Sequence, residues 1–136
     1  MSTKAKSPAP KKMKTPASIV WFEIPAEKID RAKAFYSALF GWNIAAFPGM
    51  KDYFHIDTGG ADASPDGAVM PRMHERHTIT NYVLVDSVTK SMAKVEKLGG
   101  KVCRPKTAVP GMGYFAICRD TEKNEFALWE VNPKAK

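Results

Sequence analysis

One acid interrupts an apolar run, Glu23 in Ile19-Val20-Trp21-Phe22-Glu23-Ile24. A carboxylate beside aromatic rings in a half-dry pocket can act as a general base. The competing role is structural, with Glu23 hydrogen-bonded to a neighbouring strand or placed at a rim. The histidines raise metal and proton chemistry. His74 and His77, in His-Glu-Arg-His, are spaced to share one face of a helix. They fall between elements, however, with Glu75 as the one further donor nearby, and a zinc site needs three or four convergent ligands. A solvated loop is expected there. His55, between Phe54 and Ile56, reads as a mid-strand histidine in core or cavity. Cys103 and Cys118 show neither CxxC spacing nor a paired base, and no GxSxG or GxxxxGK(S/T) pattern occurs. Gly111-Met112-Gly113 is a turn before a strand, with no helix start to cradle a phosphate.

These residues must be positioned by regular elements, and the hydropathy pattern supplies them. Residues 19–24 read as a strand ended by Pro25. From Glu27 to Phe40 the apolar residues Ile29, Ala32, Tyr36, Leu39 and Phe40 recur at helical spacing, and Gly41 is placed to cap the helix. Strand candidates follow at 42–47, 53–57 and 68–72, separated by loops rich in Gly, Pro and Asp. Then the plan repeats. A strand is expected over 78–86 and a helix over 87–98, with Val88, Met92, Val95 and Leu98 inward. Asp86 or Ser87 can cap its start, and Gly99-Gly100 stops it. Further strands are expected at 101–104, 113–118 and 125–131.

A shift of 59 aligns Trp21 with Thr80, Ile24 with Val83, Ile29 with Val88, Leu39 with Leu98 and Gly41 with Gly100; a shift of 61 aligns residues 53–56 with 114–117. The order strand–helix–strand–strand–strand thus occurs twice. An internal duplication within one α+β domain is the organisational conclusion.

Composition limits the alternatives. The 136 residues are 44% hydrophobic and carry +7, with 21 basic residues against 14 acidic. Residues 1–17 hold five of the lysines and no acid, so the remainder has 16 bases against 14 acids, or +2. The basicity belongs to a tail rich in Lys, Pro, Ala, Ser and Thr, expected to be disordered and solubilising. A nucleic-acid role for that tail is the weaker alternative. No apolar run approaches the roughly 20 residues of a membrane helix. No secretory h-region is present, so reduced thiols and a cytoplasmic location are the expectation.

Several short motifs carry a family resemblance when taken in order. They are Asp30-Arg31-Ala32-Lys33-Ala34-Phe35-Tyr36 with Leu39-Phe40-Gly41-Trp42, then Leu98-Gly99-Gly100-Lys101-Val102, then residues 119–124 leading to Leu128-Trp129-Glu130. Over about residues 18–132 the chain resembles the vicinal oxygen chelate superfamily of glyoxalases, bleomycin-resistance proteins and extradiol dioxygenases, near the branch related to lactoylglutathione lyase. The resemblance implies one domain over 18–136, made of two βαβββ modules (about 18–73 and 78–132). These would form a curved mixed sheet around a cavity, with the helices outside and homodimeric assembly. Where the family usually has Gly in its last turn this chain has Lys123, and Asn124 is expected to supply the positive φ.

Family enzymes hold a divalent ion with four His, Gln or Glu side chains. Carried over by position, those ligands fall on Trp21, Thr80, Ala127 and Ala68 or the adjacent Gly67, none of them an imidazole or a carboxylate. The resemblance therefore implies no metal ligands and no resident cofactor. With Trp21 facing the cavity, strand alternation turns Glu23 the same way. Thr80, Tyr82, Met70 and Trp129 join them, and His55 is a further wall candidate. Glu23 is the candidate catalytic group and the others form a binding wall for a small, planar or apolar molecule. Binding without a metal, as in bleomycin-resistance proteins, is the favoured expectation. A metal-dependent lyase, isomerase or dioxygenase is the alternative.

Overall fold

The pairing of β1 (Ile19–Ala26) with β5 (Thr80–Leu84) is the axis on which the domain is built. The structure is a computed structural model and describes residues 16–61 and 64–136. The lysine tail, read from sequence as residues 1–17, lies outside the described residues for all but its last two positions. Among the described residues the elements follow the order β1, α1 (Ile29–Phe40), β2 (Asn43–Ala46), β3 (Phe54–Asp57), β4 (Asp66–Pro71), β5, α2 (Val88–Lys97), β6 (Lys101–Val109), β7 (Gly113–Arg119) and β8 (Glu125–Val131). The strands form one curved mixed sheet in the order β2-β3-β4-β1-β5-β8-β7-β6. Strand–helix–strand–strand–strand is thus used twice, as the α+β expectation required.

The register carries the duplication residue by residue. In the antiparallel β1–β5 pair, Trp21 faces Tyr82 and Glu23 faces Thr80. A shift of 59 exchanges these two pairs, as a twofold relation between modules demands. The parallel pairs obey the same shift: Glu23 beside Ala68 corresponds to Tyr82 beside Ala127, and Pro25 beside Met70 to Leu84 beside Trp129. Ala68, not Gly67, is therefore the mate of Ala127. For the third strands the shift is 62 and not 61, because His55 faces Ala68 whereas Ile117 faces Ala127. A one-residue slip turns every side chain to the opposite face. The corrected shift pairs Ile56 with Cys118, both fully buried, and Tyr53 with Phe115.

The helices cover one face of the sheet. Ile24, Ala26, Ile56 and Val69 form the first core, against which Ile29, Ala32 and Tyr36 of α1 pack. Val85, Val88, Ala116, Cys118 and Leu128 form the second, with Met92 and Val95 of α2. Leu39, Phe40 and Leu98, expected inward, are 57%, 55% and 69% exposed. Apolar periodicity fixes direction around a helix axis but does not say whether sheet lies beneath its last turn. Gly41 closes α1 in the left-handed conformation, and the Ser87 hydroxyl accepts from the Lys90 N–H at 3.1 Å to cap α2.

Among the differences from expectation, three have a clear physical cause. β1 continues through Pro25, since β5 pairs no further than Glu23 and the missing N–H falls where β1 has β4 alone as neighbour. β6 extends to Val109, bridging two register irregularities that its short apolar signal did not cross. In the β7–β8 turn, Lys123 itself takes the positive φ of 68°, while Asp120 accepts from the N–H groups of Glu122 and Asn124. Lys123→Gly removes that strain. It is expected to raise the unfolding free energy by about 0.5 kcal/mol, a gain partly offset by added freedom of the unfolded chain, and urea titration reads it directly.

Candidate functional site

The sheet face opposite the helices lines a cavity of about 670 Å³. Strand alternation delivers Trp21 and Glu23 to it from β1, Met70 from β4, Thr80 and Tyr82 from β5, and Trp129 from β8. Six of the seven residues nominated from sequence therefore meet on one wall. His55 does not line the cavity. Its ring stacks on Trp21, with centroids 5.6 Å apart, and its Nε2 is 3.1 Å from Asp66 Oδ2. Asp66 also accepts from the Thr58 N–H and hydroxyl. Burial opposes ionisation of this carboxyl, but those hydrogen bonds prevail and hold it below the usual carboxylate range.

Glu23 is the centre of the polar wall. It is 9% exposed, and each carboxylate oxygen accepts a phenol: Tyr82 donates to Oε1 at 2.8 Å and Tyr53 to Oε2 at 2.6 Å. The Trp21 indole N–H donates in turn to the Tyr53 oxygen at 2.9 Å. Tyr82 reaches Glu23 because it lies diagonally across the antiparallel pair, within range of a long aromatic side chain. It is also the repeat equivalent of Glu23, so the two copies of one position bond to each other across the module boundary. Burial first, and the charge of Glu23 second, push both phenols far above their ordinary pKa of 10. They remain protonated donors. Tyr53 was not recognisable from sequence, because the one-residue error in the module shift matched it with Tyr114 instead of Phe115.

The other walls are mostly apolar. Phe47 and Phe115 add rings, and Met50, Met73 and Met112 add thioethers. Phe47 meets Trp21 edge-on at 6.3 Å and Tyr53 at 5.7 Å. Arg104 lies over the Phe115 ring at 5.2 Å. Glu125 and Cys103 complete the titratable lining with His74 and His77. Both cysteines are free thiols, and burial pushes Cys118 up to about 11.

His77 overturns the solvated-loop expectation for the His-Glu-Arg-His segment. It is 8% exposed, stacks on His74 with centroids 5.4 Å apart, and lines the cavity. Its Nδ1 accepts from the Met73 N–H at 3.0 Å, which holds the segment against the sheet. Nothing in a polar linker sequence signals such a contact. Desolvation first, then the charges of His74 and Arg72, hold the imidazole below its usual 6.5, against the pull of Glu125 and Glu23. A histidine with a depressed folded pKa binds fewer protons folded than unfolded, so stability falls as pH drops below 6.5. The melting temperature between pH 7 and pH 5 is expected to decline in the wild-type protein and to lose that component in His77→Asn.

The four positions carried over from family metal sites hold an indole, a hydroxyl and two methyl groups (Trp21, Thr80, Ala68 and Ala127), and Ala68 and Ala127 are fully buried. This set does not fit a divalent ion, which needs several N, O or S donors. Among the described residues no group of three or more His, Cys, Asp or Glu is placed to hold one.

The fold and the cavity are those of a glyoxalase-like domain, and the chain belongs to the glyoxalase-like family. Residues 18–59 match the bleomycin resistance protein-like N-terminal family. A glyoxylase-like domain-containing protein of Didymella fabae is 32% identical over 114 residues, 78% of this chain and 88% of that one. The Mycobacterium bovis protein named "Putative glyoxylase CFP32" is 26% identical over 121 residues. That stretch is 86% of this chain but 45% of the mycobacterial one, so this chain spans about half the length of that relative. Among solved structures, a glyoxalase/bleomycin resistance protein/dioxygenase superfamily member from Vibrio splendidus shares the fold with a TM-score of 0.61 at 8% identity, covering 85% of this chain and 99% of that one. Methylmalonyl-CoA epimerase from Mycobacterium tuberculosis does so with a TM-score of 0.61 at 12% identity, covering 89% and 94%. No helix among the described residues is long and apolar enough to cross a membrane.

Proposed function

We propose that this protein binds a small, planar, largely apolar molecule in the cavity, stacked against Trp21 and Trp129 and oriented by Glu23, without the metal of the family's enzymes. The observation that carries this reading is the cavity itself: about 670 Å³ of space walled by rings and methionines, with one tyrosine-held carboxylate at its polar side. The donor-poor set at Trp21, Ala68, Thr80 and Ala127 supports binding without a resident metal over the lyase, isomerase or dioxygenase alternative. Glu23 is also the group best placed to take a proton from a bound molecule, since each oxygen keeps a lone pair beyond its tyrosine bond. Homodimeric assembly belongs to the same proposal, supported by the exposure of Phe35, Leu39 and Phe40 along α1.

NMR titration with a naphthalene-sized aromatic tests this reading. Shifts are expected at Trp21, Tyr82 and Trp129, and Trp129→Ala is expected to weaken binding about tenfold through loss of the stacked ring. Shifts confined to the second groove, about 590 Å³ beside α1 and lined by Arg31, Phe35 and Arg72, would contradict it.

A further inference from the structure

Among the described residues no cationic side chain comes within ion-pair distance of the Glu23 carboxyl. The ion pair that these residues form within 4.0 Å is His55–Asp66, which does not involve it. Its two partners, Tyr53 and Tyr82, are neutral phenols that donate to its oxygens and supply no positive charge. A carboxylate 9% exposed among rings and thioethers is costly to maintain without an opposite charge. Other charges around the cavity do not supply one. Glu125 adds a second negative group, and burial keeps His77 biased towards its neutral form. Arg104, the one permanently cationic side chain lining the cavity among the described residues, reaches Tyr82 through its charge but lies over the Phe115 ring and makes no ion pair with Glu23 within 4.0 Å.

Resting on the binding function proposed above, we infer that the natural ligand is an organic cation: a planar apolar body bearing a protonated amine or quaternary nitrogen, with Glu23 as its counter-ion. The walls suit such a molecule on both counts. The faces of Trp21, Tyr82 and Trp129 attract positive charge through their quadrupoles, and the methionines pack against whatever apolar shape the cation carries. The whole chain is at +7, so its long-range field opposes a cation. A preference for positive charge must therefore originate in the cavity.

Calorimetric titration of the full chain with three probes of one shape separates charge from stacking: naphthalen-2-ylmethylammonium, naphthalen-2-ylmethanol and 2-naphthoate. The ammonium probe is expected to bind about tenfold more tightly than the alcohol, and the carboxylate most weakly. In Glu23→Gln the ammonium and alcohol are expected to bind within about twofold of each other. Should that variant fail to fold, the carboxyl carbon resonance of Glu23 in the wild-type protein reads the same contact, shifting with the ammonium and not with the alcohol. Equal affinity for ammonium and alcohol, or preference for the carboxylate, overturns the cation inference and leaves the binding proposal standing. Failure of all three to bind overturns both.

Discussion

Gly67→Ala is expected to lower the unfolding free energy by about 3 kcal/mol and the melting temperature by about 10 °C. Gly67 lies beside Phe22 in the parallel β1–β4 pair. A methyl group there would sit 2.3 Å from the Phe22 carbonyl oxygen and 2.7 Å from two carbons of its ring. Neither can withdraw cheaply. The carbonyl belongs to the central strand, and the ring is wedged against Trp42 with centroids 6.2 Å apart. β1 and β4 would have to separate, and with them the strands that aim Glu23 and Met70 into the cavity. Urea titration of the variant checks the value, and a midpoint close to wild type would mean that the strands part more easily than their packing implies.

The second large effect concerns the carboxylate. Tyr53→Phe and Tyr82→Phe each remove one donor from Glu23, and each is expected to cost about 2 kcal/mol, as for other hydrogen bonds to a charged group. The double variant leaves both oxygens without their phenols and is expected to lose about 4 kcal/mol or more. Adding Glu23→Leu to that pair converts the cluster to an apolar one of similar volume. Most of the lost stability is then expected to return, because burying a lone charge costs more than burying a leucine. No recovery in the triple variant would mean that the tyrosines serve packing and not the charge. Binding of the ammonium probe separates the two further, since the triple variant should be folded but should have lost its cation preference.

Much of this fold was legible because its signals are periodic. The spacing of Ile29, Ala32 and Tyr36 marks α1, that of Val88, Met92 and Val95 marks α2, and the shift of 59 marks the central strands. Alternation along β1 then turned Trp21 and Glu23 towards the cavity, which is where they lie. What escaped depends on contacts between distant segments. The shift of 62 for β3 and β7 is set by pairing register, and without it Tyr53 had no reason to stand out. His77 is buried by an interaction with Met73 in a linker whose composition reads as solvated. His55 has the parity of a wall residue, but its ring packs against Trp21 and its Nε2 turns to Asp66. β1 runs through Pro25 because its neighbour β5 has already ended there, a fact of topology that no local pattern carries.

These observations converge on one region, the space between Trp21, Glu23 and Trp129. A crystal structure of the protein soaked with naphthalen-2-ylmethylammonium tests it most directly. The expected result is a ring stacked on the tryptophan walls, with its nitrogen within hydrogen-bond distance of a Glu23 oxygen and both tyrosines still donating to that carboxylate. A metal ion bound among Trp21, Ala68, Thr80 and Ala127, or a cavity closed by its own side chains with the probe bound elsewhere, would contradict it.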